Sequence, residues 1–357
     1  MNISYRRFNT IFITTFVILT TLIASVIVII DPAFHFHAPL DGISYLLNKE
    51  RYQNNGIVKH FDYDALITGT SMVENTKSSE VDELFGVESV KVCFMGASYR
   101  EISDNIYTAL NNNPDIKLVI RAVDPSGLIA DPNTHISNES ESGYDYPTYL
   151  YDNNPFNDIE YVLNLRMLGY AVSDIMMTLS GQETTSFDEY SNWNSTCEFS
   201  KSEVLLSYTR PEKSEMKPFS EEDKRLVYDN IENNIIKQAK MFPYVEFYIW
   251  IPPYSICYYD IENQKGNLNR LLSAIEYEFS LLTDVPNIKL YSFIDRYDII
   301  TDLTLYKDYA HYSEDVNSMI INAMKNGQGM IDKDNYRDYM KKVNAFYKDY
   351  DYDSIYK

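Results

Sequence analysis

The sequence predicts an α/β protein: a three-layer sandwich on a five-stranded parallel sheet, preceded by one transmembrane helix. Three observations carry this. From Asp62 onward short apolar runs alternate with helix-patterned segments, the mark of βαβ units with helices on both sheet faces. The first three runs end in small or turn-forming residues: Gly69-Thr70-Ser71, Gly96-Ala97-Ser98 and Asp124-Pro125-Ser126-Gly127. Residues 11–30 are uncharged, with only threonines and one serine breaking the apolar run, and their length matches a bilayer span.

The elements follow in order. Arg6 and Arg7 precede the apolar stretch and Asp31-Pro32 follow it, so the positive-inside rule puts the amino terminus in the cytoplasm and the rest outside. A cleaved signal peptide would have a shorter apolar region and a small-x-small site; neither is evident, and an uncleaved anchor over 1–31 is expected. Residues 32–61 read as a juxtamembrane connector, helical towards His60, with Tyr45, Leu46 and Leu47 as its packed face. His35 and His37 alternate with Phe34 and Phe36 and suit an interface segment better than a metal site.

Strands are expected at 65–68, 90–95, 118–123, 245–251 and 288–293, and helices at 79–84, 100–111, 159–179, 221–241, 268–282 and 313–325. These make an α/β domain over 62–330. Residues 131–220 read as an insertion over the catalytic face, able to act as a lid or to shape the substrate site. A tyrosine-rich, peripheral helical tail completes the chain over 331–357.

Composition excludes some classes. A net charge of −21 argues against nucleic acid and against docking on an anionic membrane surface. Cys93, Cys197 and Cys257 form no C-x-x-C pair, so a thiolate zinc site is not expected, and no metal or cofactor is predicted. The 32 tyrosines suit an aromatic core and equally suit stacking on sugar rings.

The chemistry is expected from three residues. Ser71 stands at the carboxyl end of the first strand, where open α/β sheets place their sites. His311 follows the last strand, with Asp308 three residues before it, near enough for a carboxylate to orient the imidazole. The chain order is Ser, Asp, His.

These stretches resemble the SGNH, or GDSL-type, hydrolases, over roughly 62–325 without the insertion. The resemblance implies an SGNH, flavodoxin-like sheet, with Ser71 as nucleophile, His311 as base, Asp308 as its orienting acid, and the N–H groups of Ser71 and Gly96 as oxyanion hole. Two positions depart from the pattern. Thr70 stands where the family usually has Asp, and Asp124 falls where the third motif block presents an Asn donor. An ionised carboxylate accepts and cannot donate; Asp124 either stays protonated or binds Arg100 or Arg121. Thr70, Arg100 and Tyr254 are expected on the substrate side. With its anchor, the chain is similar to the membrane-bound branch of the superfamily found in teichoic-acid D-alanylation and alginate-type O-acetylation. That likeness implies a serine esterase or O-acyltransferase taking an acylated cell-surface glycan or a small acyl ester, beside a multi-spanning membrane acyltransferase. The alternative is a non-catalytic SGNH-like binding or scaffold protein of a glycan acylation system.

Overall fold

The computed structural model describes residues 2–134 and 146–356. Its helices are α1 (Asn2–Ile30), α2 (Glu50–His60), α3 (Ser78–Phe85), α4 (Tyr99–Asn112), α5 (Ile159–Val162), α6 (Leu165–Leu179) and α7 (Lys201–Ser207). There follow α8 (Glu221–Ile231), α9 (Lys237–Met241), α10 (Ile256–Gln264), α11 (Leu268–Leu282), α12 (Tyr297–Ile300), α13 (Glu314–Lys325) and α14 (Tyr336–Asp349). The strands are β1 (Ala65–Gly69), β2 (Ser89–Cys93), β3 (Leu118–Ala122), β4 (Glu246–Ile251), β5 (Ile288–Ser292) and β6 (Met330–Ile331). Two compact units result: Met1–Phe61 with Tyr144–Ser186, and Asp62–Gly143 with Phe187–Lys357.

In the first unit α1 is long and apolar enough to cross a membrane. It ends at Asp31, whose buried carboxylate accepts from the N–H groups of His35, Phe36 and His37 at 3.0, 2.7 and 3.0 Å. The Tyr161 hydroxyl of α5 also donates to it at 2.6 Å and accepts from Ala33 N–H at 3.2 Å. A carboxylate that collects several N–H donors folds the chain back on itself, and here it ties the end of α1 to α5. His35 meets Asp158 while His37 meets carbonyls of Ala38 and Val28, so the two imidazoles do not converge on a metal. Tyr45 and Leu47 are buried and Leu46 is exposed, because 44–49 is not helical and successive side chains of extended backbone alternate. The helix expected over 159–179 is two helices, because the Asn164 side chain caps α6 by accepting from Arg166 and Met167 N–H.

The second unit is built on a six-stranded, mostly parallel sheet of order β2-β1-β3-β4-β5-β6. The sixth strand, two residues antiparallel to β5, was not among the five expected; a pair that short leaves no period to read. Strands β1, β2 and β3 are buried along their whole length, Lys91 and Arg121 included, as expected of a parallel sheet covered on both faces. From β1 the chain steps one way to β2, then crosses back to β3 and continues to β5. Right-handed crossovers therefore put α3 on one face and α4, α8 and α11 on the other. The reversal opens a crevice at the carboxyl ends of β1 and β3.

Several segments differ from expectation. The segment 131–220 is not one insertion: 146–186 belongs to the first unit and 187–220 to the second, while 135–145, with His135, lies outside the described residues. The helix expected over 221–241 is interrupted by a π-helical stretch, Glu232–Ile236. The Asn234 carbonyl there accepts from the buried Arg121 guanidinium at 2.7 Å. Helix α10 was not anticipated. The tail is not peripheral: β6 joins the sheet, α14 packs on α11, and buried Tyr347 donates to Ile294 O at 2.8 Å.

Tyr161→Phe removes the hydroxyl that joins α5 to Asp31. A lost hydrogen bond to a buried charge costs about 1.5–3 kcal/mol, so the thermal midpoint of the detergent-solubilised protein should fall. An unchanged midpoint would show that the carboxylate does not hold this corner.

Candidate active site

Ser71 opens the turn after β1, with Thr70 as its cap. That turn is held from below by Lys91, a buried lysine of β2 whose ammonium donates to Glu74 O at 2.5 Å and Thr76 O at 2.9 Å. Opposite lies the loop after α12. Tyr306 and Tyr312 form an antiparallel bridge that closes residues 307–311 into a tight loop. Inside it Asp308 Oδ1 accepts from Ala310 and His311 N–H, both at 2.8 Å. Tyr312 and Asn317 then donate to Met72 O at 3.3 and 3.0 Å, drawing the loop onto the Ser71 turn.

The result is a continuous relay. Ser71 Oγ lies 2.8 Å from His311 Nε2, and His311 Nδ1 lies 2.8 Å from Asp308 Oδ2. Burial works to raise Asp308, but the His311 ring and the two N–H groups outweigh it and hold the carboxyl below its ordinary range. An ionised Asp308 can only accept, so Nδ1 carries the ring proton and Nε2 is left to accept from the serine.

Ser71, Gly96, Thr70, Asp124 and Tyr254 line one pocket of about 620 Å³, a volume ordinary for small-molecule sites. Gly96 sits at φ +64°, a conformation that favours glycine. Gly127, on the same wall, admits Tyr99: a Cβ there would stand 2.9 Å from its ring. Asp124 is bonded to neither arginine. Its carboxylate accepts from Thr70 Oγ1 at 2.6 Å and Tyr254 OH at 2.5 Å, and its carbonyl accepts from Tyr99 OH at 2.9 Å. Arg100 is turned away, paired with Asp104 at 2.8 Å, and is no part of the pocket. Arg121 donates to Asn234 O and Tyr99 O. Burial raises Asp124, against the lowering effect of the two hydroxyls, His311 and Arg121. Among the described residues no group of His, Cys, Asp or Glu could hold a metal ion.

No family model and no curated protein matches the chain. A solved structure titled "The structure of a putative platelet activating factor from Streptococcus pneumonia" aligns with 78% of this chain and 91% of that one, at 12% identity and a TM-score of 0.37. A likeness at that level identifies neither a family nor a substrate.

Other residues of the site gave no signal in the sequence. Trp193 stands edge-on to the His311 ring at 5.9 Å, its Nε1 donating to Glu74 Oε2 at 2.5 Å, and the Lys307 ammonium sits 3.4 Å over its ring. Tyr258 stacks on Tyr254 at 4.5 Å and, with Tyr309, adds aromatic wall to the pocket. Asn230 joins the rim, donating to Leu128 O and Ala130 O. A tryptophan or asparagine in a polar segment has no period that would mark it.

The raised Asp124 has a definite sign in stability. A carboxyl that holds its proton more tightly when folded makes the folded state the better proton binder across that interval. Wild type should therefore gain stability relative to Asp124→Asn as pH falls from 7 through the raised value. Parallel unfolding curves at all pH values would show that Asp124 titrates as in the unfolded chain.

Proposed function

We propose that this protein is a membrane-anchored serine acyl-transfer enzyme of the SGNH type, an esterase or O-acyltransferase acting on acyl groups of cell-surface glycan or teichoic-acid-like polymers. The observation that carries this reading is the relay from Asp308 through His311 to Ser71 at the carboxyl edge of the sheet. Support also comes from the motif order, with the serine after β1 and the D-x-x-H after β5, and from the pocket that opens on Ser71.

In this reading Ser71 Oγ attacks the acyl carbonyl carbon while His311 Nε2 takes its proton. Asp308 stabilises the imidazolium and keeps the ring in place. The developing oxyanion is met by the N–H groups of Ser71 and Gly96. The bond to the leaving alcohol then breaks, and His311 returns the proton to the departing oxygen. A second acceptor repeats the sequence on the acyl-serine: water gives an esterase, a sugar hydroxyl a transferase. The aromatic wall of Tyr254, Tyr258 and Tyr309 suits a sugar ring. Neither metal nor cofactor enters these steps. Helix α1 is the anchor, with the amino terminus cytoplasmic and the α/β unit outside; a multi-spanning membrane acyltransferase is the partner that would supply acyl groups.

One observation favours a second reading, a non-catalytic SGNH-like scaffold. By the family resemblance Asp124 falls where an oxyanion donor is expected, yet both its oxygens accept hydroxyl protons. Lacking one such donor typically costs about 10²–10³ in turnover.

A fluorophosphonate probe followed by mass spectrometry should label Ser71 in the wild type. Ser71→Ala and His311→Ala should each lower hydrolysis of a nitrophenyl acetate by roughly 10³-fold or more, and the double variant by no more than either. Asp308→Asn should leave a measurable remainder. Folded wild type that is neither labelled nor active would overturn the enzyme and leave the scaffold standing.

Asp124→Asn separates the two readings further. An amide donates where a carboxylate only accepts, so turnover should rise, by up to roughly 10²-fold if the position faces the oxyanion. An unchanged or lower rate, measured at equal labelling of Ser71, would remove Asp124 from the oxyanion site.

A further inference from the structure

Helix α1 is exposed on every side from Phe8 to Leu19, after the charged Arg6 and Arg7. Those residues rise about 18 Å, whereas the hydrocarbon core of a bilayer is about 30 Å thick. A span of that thickness therefore has to include the next eight or so residues, roughly as far as Ile27. These are the residues on which the first unit is built. Ile23 and Ile27 pack in one apolar cluster with Tyr161 and Met167, and α1 contacts both α5 and α6. The Asp31–Tyr161 bond fastens α5 to the same end of α1. Whatever packs there lies at the depth of the outer leaflet.

Independent of that depth, α6 carries an apolar stripe on one outward face, flanked by the exposed Arg166 and Ser173. Leu165, Val172, Met176 and Leu179 are spaced seven, four and three residues apart and fall on one face of α6. They are 75%, 47%, 61% and 78% exposed, while Met167, Ala171 and Asp174 form the buried face. Phe156, Ile159 and Leu163, in and beside α5, are exposed as well, with the exposed Glu160 among them. Single exposed apolar residues are ordinary, but a contiguous patch on one helix face marks a contact.

We propose that α5 and α6 form an interfacial element whose outer face is seated among the lipid acyl chains of the leaflet that α1 leaves. The bilayer is the occupant because the depth set by α1 puts this face in it. Burial of such a face binds in proportion to its apolar area, and the outward residues, leucine, methionine, valine and phenylalanine, are of the kind such faces use. The seating rests on the anchoring part of the function proposed above and is independent of its chemistry.

The test uses the full chain with Cys197→Ser, reconstituted in vesicles of phosphatidylethanolamine and phosphatidylglycerol. An environment-sensitive fluorophore is placed at one engineered cysteine per sample: Phe12→Cys in α1, Met176→Cys or Leu179→Cys in α6, and Arg225→Cys on the exposed face of α8. Doxyl-labelled lipid and aqueous iodide serve as the two quenchers. Phe12, Met176 and Leu179 labels should all be quenched by doxyl lipid several-fold more than the Arg225 label and be protected from iodide. Iodide quenching at both α6 positions with lipid quenching at Phe12 would overturn the seating while leaving the anchor intact. Protection of α6 from both quenchers would also overturn it, since protein, from a second copy, would then cover the face. Loss of lipid quenching at Phe12 would instead overturn the anchor.

Discussion

The candidate site depends on a single carbonyl. Met72 O accepts from Tyr312 and Asn317, 240 and 245 residues away, and those two bonds hold the loop of Asp308 and His311 against the Ser71 turn. Tyr312 bridges to Tyr306 and Tyr306 donates to Pro253 O, so the loop is fixed at both ends. Within it Asp308 collects the N–H groups of Ala310 and His311 as well as the imidazole. The carboxylate that orients the ring thus also shapes the loop that carries it. Preorganisation of this kind lets a proton move without first rearranging its neighbours.

A second constraint lies on the other side of Ser71. Asp124 ends β3, Thr70 ends β1 and Tyr254 follows β4, so three neighbouring strands meet at one carboxyl group. Sharing a buried carboxylate between two hydroxyls lessens the cost of placing it there. It also commits both hydroxyl protons, which leaves this corner of the pocket rich in acceptors.

The rest of the α/β unit supports these two corners with buried polar groups. Lys91 satisfies the carbonyls of Glu74 and Thr76 beneath the serine turn. Arg121 fills the gap that the π-helical stretch leaves at Asn234 O. Burial lowers Arg121 to about 10, against the raising influence of Tyr99, Glu278 and Asp124. The interruption of the helix that carries Asn230 and Asn234 is useful in itself: both side chains reach the 128–132 segment that walls the pocket. π-Helical insertions recur where a helix must aim side chains its regular period would misplace.

Much of this was legible in the sequence, for reasons that are local. Apolar runs ending in small residues mark where parallel strands stop, and an uncharged stretch of bilayer length marks α1 as a helix long and apolar enough to cross a membrane. Ser71, Asp308 and His311 could be singled out because strand ends are where such chemistry collects, and Asp124 because it stood where a donor was expected. The sequence alone determined the five parallel strands and most of the helices, but not α10, β6 or the breaks within two long helices. Tertiary structure decided what those residues touch. It gave Asp124 to Thr70 and Tyr254 and not to Arg100 or Arg121, brought Trp193 to His311, and divided the 131–220 segment between two units. It also turned a charged residue in the second strand into the support of the serine turn. Such partners lie tens to hundreds of residues apart, and what selects them is burial and the need to pair every polar group, neither of which leaves a period in the chain.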